Sequence, residues 1–331
     1  MKINLSPVTY SQNIHKASFL KPNKLERTPA KDTVSFSSKK PHKKTLKPNV
    51  KTALEYSNEI MNISNKKDLS LEDISKITSK YTENTTIHPM SKLKETLTDA
   101  ENYGAYFTSH IDENFNVDAK DMYIKLPKGN PDKIEKLSFV MDCAHEFTHI
   151  KQNDTHQCFD ELKLMTKGNY QYATAIMAIA ETAFKPFDTQ IQATHVLAGI
   201  QEHIDKQAFM KYGFIVPQEA PITRNTIYSS AGFKNENEMQ KELKDNFKMV
   251  FDHVMTLFEK EHPEILAKIP KNEQYEDVMK KVKTYCKTRA LDEKEAYTTE
   301  AEVARKSLET DNNLNIDAFA IYYDILAKAL E

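Results

Sequence analysis

Residues 139–150 read FVMDCAHEFTHI and contain the pattern HExxH, formed by His145, Glu146 and His149. On an α-helix, residues four apart lie on one face about 5–6 Å apart, so the two imidazoles can bind one tetrahedral zinc ion. Glu146 lies between them and can reach the ligand position that remains for water. The stretch therefore predicts a helix that carries a zinc site.

The residues before this pattern indicate a packed helix. Apolar residues recur there at helical spacing: Ile134, Leu137, Met141 and Ala144. His145 and His149 fall on a separate, polar face. The alternative is an ordinary amphipathic helix with two surface histidines.

A strand is predicted just upstream. In residues 121–127, Met122, Ile124 and Leu126 alternate with polar residues, as in a half-buried strand, and Pro127 ends it. Residues 128–132 then read as a turn. A strand beside a metal-binding helix offers an extended substrate a sheet edge with which to pair.

This strand, turn and HExxH helix resemble the zincin metallopeptidases, in which the active-site helix follows an edge strand. The resemblance covers residues 120–153 and a second segment at 290–305, and it does not single out one family. It implies Zn²⁺ as cofactor, a peptide or protein as substrate, and Glu146 as the general base that activates water. The oxyanion would need a hydrogen-bond donor, and the sequence offers four candidates without ranking them: His156, Tyr170, Tyr172 and Tyr297.

Catalytic zinc normally takes three protein ligands, so a third must come from elsewhere in the chain. The pattern HExxHxxGxxH is absent, because Gln152 stands where glycine is required and His156 comes one residue too late. Residues 291–304, LDEKEAYTTEAEVA, resemble the ExxA segment of Glu-type zincins, with Glu293 as the ligand and Ala296 as its small partner. Tyr297 stands where such families often place an acidic residue that orients a ligand histidine.

Helical periodicity separately favours Glu293. It shares a predicted packed face with small and apolar residues that would let this helix approach the HExxH helix: Ala290, Tyr297, Ala301, Ala304 and Leu308. Glu295 and Glu302 are predicted on a more polar side. Two rival ligands stay open: Glu300, and Glu181, the only charged residue in the apolar stretch 170–184. A further alternative is an exposed helix rich in Glu and Lys.

The first 50 residues differ from the rest of the chain. They contain 11 Lys and Arg against two acidic residues, and five of the 13 prolines, whereas the whole chain of 331 residues has a net charge of −2. Apolar residues there show no period, so we expect residues 1–50 to form a disordered basic tail. Residues 51–331 are predicted to form a zincin-like catalytic domain, with a possible division into 51–155 and 156–331.

The predicted fold class is α+β and mostly α, with a small sheet beside the active-site helix and a large helical C-terminal part. Six glycines are too few for long sheets with many tight turns, and the predicted helices span 51–64, 71–81, 91–103, 158–166, 170–184, 188–211, 236–260, 273–289, 292–308 and 315–330. No stretch has the about 18 apolar residues that span a membrane. Three cysteines do not form a disulfide scaffold.

Three functions are compatible with these features. The leading one is zinc-dependent peptide-bond hydrolysis. The second is a non-catalytic helical binding or scaffold protein whose HExxH is accidental or inactive. The third is a secreted effector or toxin protease whose basic tail is an export or docking segment. The composition does not indicate nucleic acid as a partner, and the absence of a classical signal peptide leaves cytoplasmic residence and non-classical secretion as expectations.

Overall fold

The computed structural model describes residues 46–94, 104–155, 157–191, 215–218 and 221–331. The helices in this part of the chain are α1 (Pro48–Ile63), α2 (Leu71–Thr78), α3 (Met90–Leu93), α4 (Lys133–Asp154), α5 (Gln157–Met165), α6 (Tyr170–Ile191), α7 (Arg224–Ser230), α8 (Glu236–Glu261), α9 (Pro263–Leu266), α10 (Tyr275–Leu308) and α11 (Asp317–Ala329). The strands are β1 (Thr85–Pro89), β2 (Ala105–Ile111) and β3 (Val117–Ile124). The predicted class, α+β and mostly helical with a small sheet, is confirmed.

The sheet packs beside α4, the helix that carries HExxH. Its strand order is β1-β3-β2, with β3 parallel to β1 and antiparallel to β2. Met122 and Ile124 of β3 belong to the same buried apolar cluster as Leu137 and Val140 of α4. The alternation that predicts a strand at this point therefore marks the residues that bury one face of the sheet against the helix.

Helix α10 joins two apolar clusters. Its first half, with Val278 and Val282, packs with α6, α8 and α11. Its second half, with Ala301 and Ala304, packs with α1, α4 and the sheet. The middle of α10, where Glu293 lies, is thereby brought next to α4. Residues from segment 156–331 thus contribute to the apolar cluster of segment 51–155.

Several predicted boundaries need correction. Residues 273–289 and 292–308 form one helix, α10, because no proline or glycine interrupts residues 275–308. The predicted strand at 121–127 begins earlier and ends at Ile124. Strand β1 and the helices α7 and α9 were not predicted, since each is only four to seven residues long.

Some predictions fall beyond the described residues. Of the predicted helix 91–103, only the first turn is described, and it belongs to α3. Most of the predicted helix 188–211, and residues 1–45 of the predicted basic tail, lie outside the described part of the chain. No helix that is described combines the length and the apolarity needed to cross a bilayer.

A buried charge joins the sheet to the end of α4. Lys120 of β3 is 5 % exposed, and its Nζ donates to Thr82 Oγ1 over 2.7 Å and pairs with the carboxylate of Asp154. Lys151 also donates to Asp154 over 2.7 Å. Burial disfavours a charge on Asp154, but Lys120 and Lys151 outweigh it and hold the pKa of this carboxyl below its usual range.

We predict that Asp154→Asn destabilises the fold by about 2–4 kcal/mol at pH 7, because it leaves the Lys120 ammonium buried without a counter-charge. A lowered folded-state pKa stabilises the protein above the ordinary carboxyl pKa of about 3.9, and this contribution disappears as the pH falls through the folded value. The difference in denaturant midpoint between Asp154→Asn and the wild type should therefore become smaller as the pH is lowered. Glu72→Gln, which breaks the exposed pair with Lys76, is the control and should leave the midpoint unchanged. Equal midpoints for Asp154→Asn and the wild type at pH 7 would contradict the prediction.

Candidate metal centre

Helix α4 presents His145, Glu146 and His149 from a firmly anchored position. Asp132 caps its first turn by accepting two hydrogen bonds from backbone N–H groups, both at 2.8 Å. Its packed face fixes the rotation of the helix through residues that are at most 1 % exposed: Leu137, Val140, Ala144 and Phe147. His145 and His149 are 8 % and 4 % exposed, which excludes two histidines on an open helix surface. Buried imidazoles need polar partners.

Small side chains allow α10 to cross α4 closely. Ala144 of α4 is fully buried in the same cluster as Ala301 of α10. Thr148 donates from Oγ1 to Thr299 Oγ1 over 3.0 Å across the contact. Close packing of the two helices leaves the Glu293 side chain opposite the two histidines, as the sequence predicts.

His145, His149 and Glu293 bring their donor atoms together. The two Nε2 atoms lie 3.2 Å apart. Glu293 places Oε2 3.3 Å from Nε2 of His145 and Oε1 3.5 Å from Nε2 of His149. Taken one atom per residue, the three donors lie within 4.8 Å of one another, and they form the only group in the described part of the chain that meets this criterion for a metal site.

Each imidazole is also held at its other nitrogen. Nδ1 of His145 lies 2.6 Å from Glu300 Oε1, a charged contact without the angles of a good hydrogen bond. Nδ1 of His149 lies 2.8 Å from Gln152 Oε1. Partners of this kind fix the orientation of a ligand imidazole and leave Nε2 for the metal.

The electrostatics of the cluster favour a positive charge between the three side chains. Burial opposes a charge on His145, but Glu300 and Glu293 outweigh it and raise the pKa of the imidazole well above its usual range. Burial likewise opposes a charge on Glu293, yet His149 and His145 hold the pKa of this carboxyl well below its usual range. A cation at this point would meet an ionised carboxylate already in place.

Glu146 lies beside the three donors and is not one of them. Its side chain is half-buried, and its carboxylate forms no hydrogen bond or ion pair with any residue that the structure describes. Burial raises the pKa of Glu146, and His145 and His149 counter this shift only in part. A raised carboxyl pKa brings a general base closer to the pH at which it works.

A second acidic side chain adjoins the strand next to the site. Burial, together with the nearby Glu300, raises the pKa of Asp142 to about 7. A Cβ at Gly104, the residue before β2, would lie 1.8 Å from Asp142 Oδ2, so any other residue there would displace the Asp142 carboxylate. This close approach keeps β2 next to the HExxH helix.

The rival ligands lie elsewhere. Glu181 is half exposed; it accepts a hydrogen bond from Tyr285 at 3.2 Å and lies 3.5 Å from Arg289 Nε, so its partner is a guanidinium. Glu300 lies on the far side of His145, against Nδ1. Neither belongs to the three-residue group.

The prediction that Glu295 faces a polar side is wrong. Glu295 is 8 % exposed, because α1 packs over this face of α10 and Lys47 donates to Glu295 Oε2 over 2.8 Å. Glu302 is only part-buried and pairs with Arg305 at 2.8 Å.

Of the three candidate oxyanion donors that the structure describes, Tyr297 alone adjoins the site, with its ring 4.8 Å from that of His145. Tyr170 donates to the carbonyl of Ile111 and Tyr172 to Glu273. His156 lies outside the described residues.

Sequence reasoning missed the roles of Gln152 and Arg289. Gln152 follows His149 by three residues, a spacing that places both on one helix face, but it entered the reasoning only as the residue that replaces a glycine. Arg289 precedes Glu293 by one turn and places Nη2 3.8 Å from Glu293 Oε1. The same helical spacing could have identified both.

Comparison of the chain with protein-family models, with curated proteins and with solved structures found no match.

We predict that the three carboxylates considered as ligands, Glu293, Glu300 and Glu181, differ in their effect on zinc binding. Glu293→Gln should lower zinc affinity more than about 100-fold, because it removes a ligand, and Glu300→Gln should lower it about 10–100-fold, because it releases the orientation of His145. Glu181→Gln should leave it unchanged. Competition with a chromophoric chelator measures all three. Loss of zinc from Glu181→Gln with retention by Glu293→Gln would contradict the assignment.

Proposed function

We propose that this protein is a zinc-dependent peptidase in which His145, His149 and Glu293 bind the metal. The spacing of the donor atoms carries the proposal. A tetrahedral zinc ion with bonds of about 2.0–2.1 Å separates its ligand atoms by about 3.3–3.4 Å. The two Nε2 atoms, 3.2 Å apart, are close to that edge. Glu293 has one carboxylate oxygen 3.3 Å from Nε2 of His145 and the other 3.5 Å from Nε2 of His149, so its carboxylate lies beside both imidazole donors.

The chemistry of the donors favours zinc over Ca²⁺ and Mg²⁺. Two imidazoles and one carboxylate form one of the ligand sets of catalytic zinc, whereas Ca²⁺ and Mg²⁺ prefer oxygen ligands alone. Three protein ligands also leave one position for water or substrate, as in a catalytic site. A structural zinc site is normally closed by four protein ligands.

Glu146 is the proposed general base. Zinc held by the three ligands would polarise the scissile carbonyl and make water more acidic. Glu146 would accept the proton of the attacking water and deliver it to the leaving amine. Its half-buried carboxylate has no competing partner among the described residues, and its raised pKa suits both transfers.

Strand β2 supplies a site for an extended peptide. It has one hydrogen-bonded neighbour, β3, in the described part of the chain, so its other edge can pair with substrate. Ser109 of β2 donates to Asn153 Oδ1 over 2.9 Å, and Asn153 donates to the carbonyl of His149 over 2.9 Å. Through Asn153, these two bonds connect the strand to the backbone of His149, a proposed metal ligand.

We predict that Glu146→Gln binds zinc with wild-type affinity but hydrolyses peptides at least about 100-fold more slowly, since the amide keeps the shape and cannot take a proton. The measurements are zinc content and cleavage of a peptide mixture followed by mass spectrometry. Glu259→Gln on the exposed face of α8 is the matched control and should retain full activity.

Turnover by Glu146→Gln at the wild-type rate would refute the role of this residue. A wild-type protein that holds zinc and cleaves no peptide would instead favour the binding or scaffold function. In that case the metal would stabilise the crossing of α4 and α10.

A further inference from the structure

Gln152 connects the two helices that carry the proposed ligands. It lies at the end of α4 and is 9 % exposed. Its Oε1 lies 2.8 Å from Nδ1 of His149, and its Nε2 donates to the backbone carbonyl of Asp292 over 3.0 Å. Asp292 directly precedes Glu293. One amide group therefore contacts a proposed ligand on α4 and the backbone next to a proposed ligand on α10.

The carbonyl of Asp292 determines the orientation of this amide. A backbone carbonyl only accepts hydrogen bonds, so it must face the NH₂ group of Gln152. The amide oxygen then faces His149, and because that oxygen only accepts, Nδ1 of His149 must carry the proton. With the proton on Nδ1, a metal bound between His149, His145 and Glu293 would take the lone pair of Nε2.

The same amide fixes the position of α10 along α4. A carbonyl oxygen has two lone pairs, so Asp292 can accept from Gln152 in addition to its helical partner. Glu293 is the next residue, so a bond that holds the backbone of Asp292 also holds the backbone of Glu293. A shift of α10 by even one residue would break the bond to Gln152 and move the carboxylate away from the imidazoles.

We propose that Gln152 is a positioning residue that sets the tautomer of His149 and the register of Glu293 at the same time. This inference rests on the proposed zinc function. Gln152 is not one of the three proposed ligands, and it acts through His149 and through the backbone of α10. Both hydrogen bonds are needed for the full effect.

Two substitutions separate the two bonds. Gln152→Leu keeps a side chain of similar volume and removes both. Gln152→Glu keeps an acceptor for Nδ1–H of His149, but it has no donor for the carbonyl of Asp292. Gln240→Leu is the matched control, since Gln240 donates to Glu236 over 2.8 Å on α8 and lies outside the site.

The experiment measures zinc affinity by chelator competition, the visible absorption spectrum of the Co²⁺-substituted protein, and the melting temperature of the metal-free protein. We expect Gln152→Leu to lower zinc affinity about 10–100-fold and to alter the Co²⁺ spectrum. Gln152→Glu should fall between Gln152→Leu and the wild type. Gln240→Leu should match the wild type in affinity and in spectrum.

Different failures have different signatures. Wild-type affinity and an unchanged Co²⁺ spectrum in Gln152→Leu, with only a lower melting temperature, would overturn the inference and leave an ordinary interhelical bond. Wild-type zinc affinity in Gln152→Glu would overturn the claim that the bond to the Asp292 carbonyl sets the register of Glu293. A wild-type protein that binds neither zinc nor Co²⁺ would overturn the proposed function, and this inference with it.

Discussion

Two buried imidazoles and a half-buried carboxylate lie within about 3.5 Å of one another, by their nearest atoms, where α4 crosses α10, and this electrostatic arrangement constrains the rest of the structure. Charges are costly to bury unless each has a partner. His145 meets carboxylates at both ring nitrogens, and Glu293 meets both imidazoles. The side chains keep these partners only while the distance between the two helices stays the same. The small residues at the crossing, together with the Thr148–Thr299 bond, maintain that spacing.

Helix α10 can meet this constraint because it is long and uninterrupted. Its two halves are packed in different apolar clusters. The position of its middle along the helix axis, next to the end of α4, is therefore fixed. Polar contacts on the middle of the helix then complete the placement: Lys47 holds Glu295, Gln152 holds the carbonyl of Asp292, and Arg289 lies between Glu181 and Glu293. Apolar packing determines where the helix lies, and these polar bonds determine which carboxylate faces the histidines.

The sequence was sufficient for the parts of the fold that have a strong period. The α4 helix, the alternation in β3 and the meeting of Glu293 with His145 and His149 all follow from local spacing. Burial from outside the segment was not predictable in the same way. The residues next to Glu295 in the sequence are those of an exposed helix face. Glu295 is buried because α1, some 240 positions earlier in the chain, packs over it. Strand β1 contains one apolar residue, Ile87, and becomes a strand because β3 offers a parallel edge.

Position 152 shows how one residue can decide where a third ligand comes from. A glycine three residues after the second histidine would favour a turn and let the chain return toward the site with a ligand of its own. Glutamine instead keeps α4 helical to Asp154 and directs an amide at α10. The residue that excludes the HExxHxxGxxH pattern therefore contacts both His149 and the backbone next to Glu293. If the proposed site binds a metal, the third ligand would come from α10 and not from the continuation of α4.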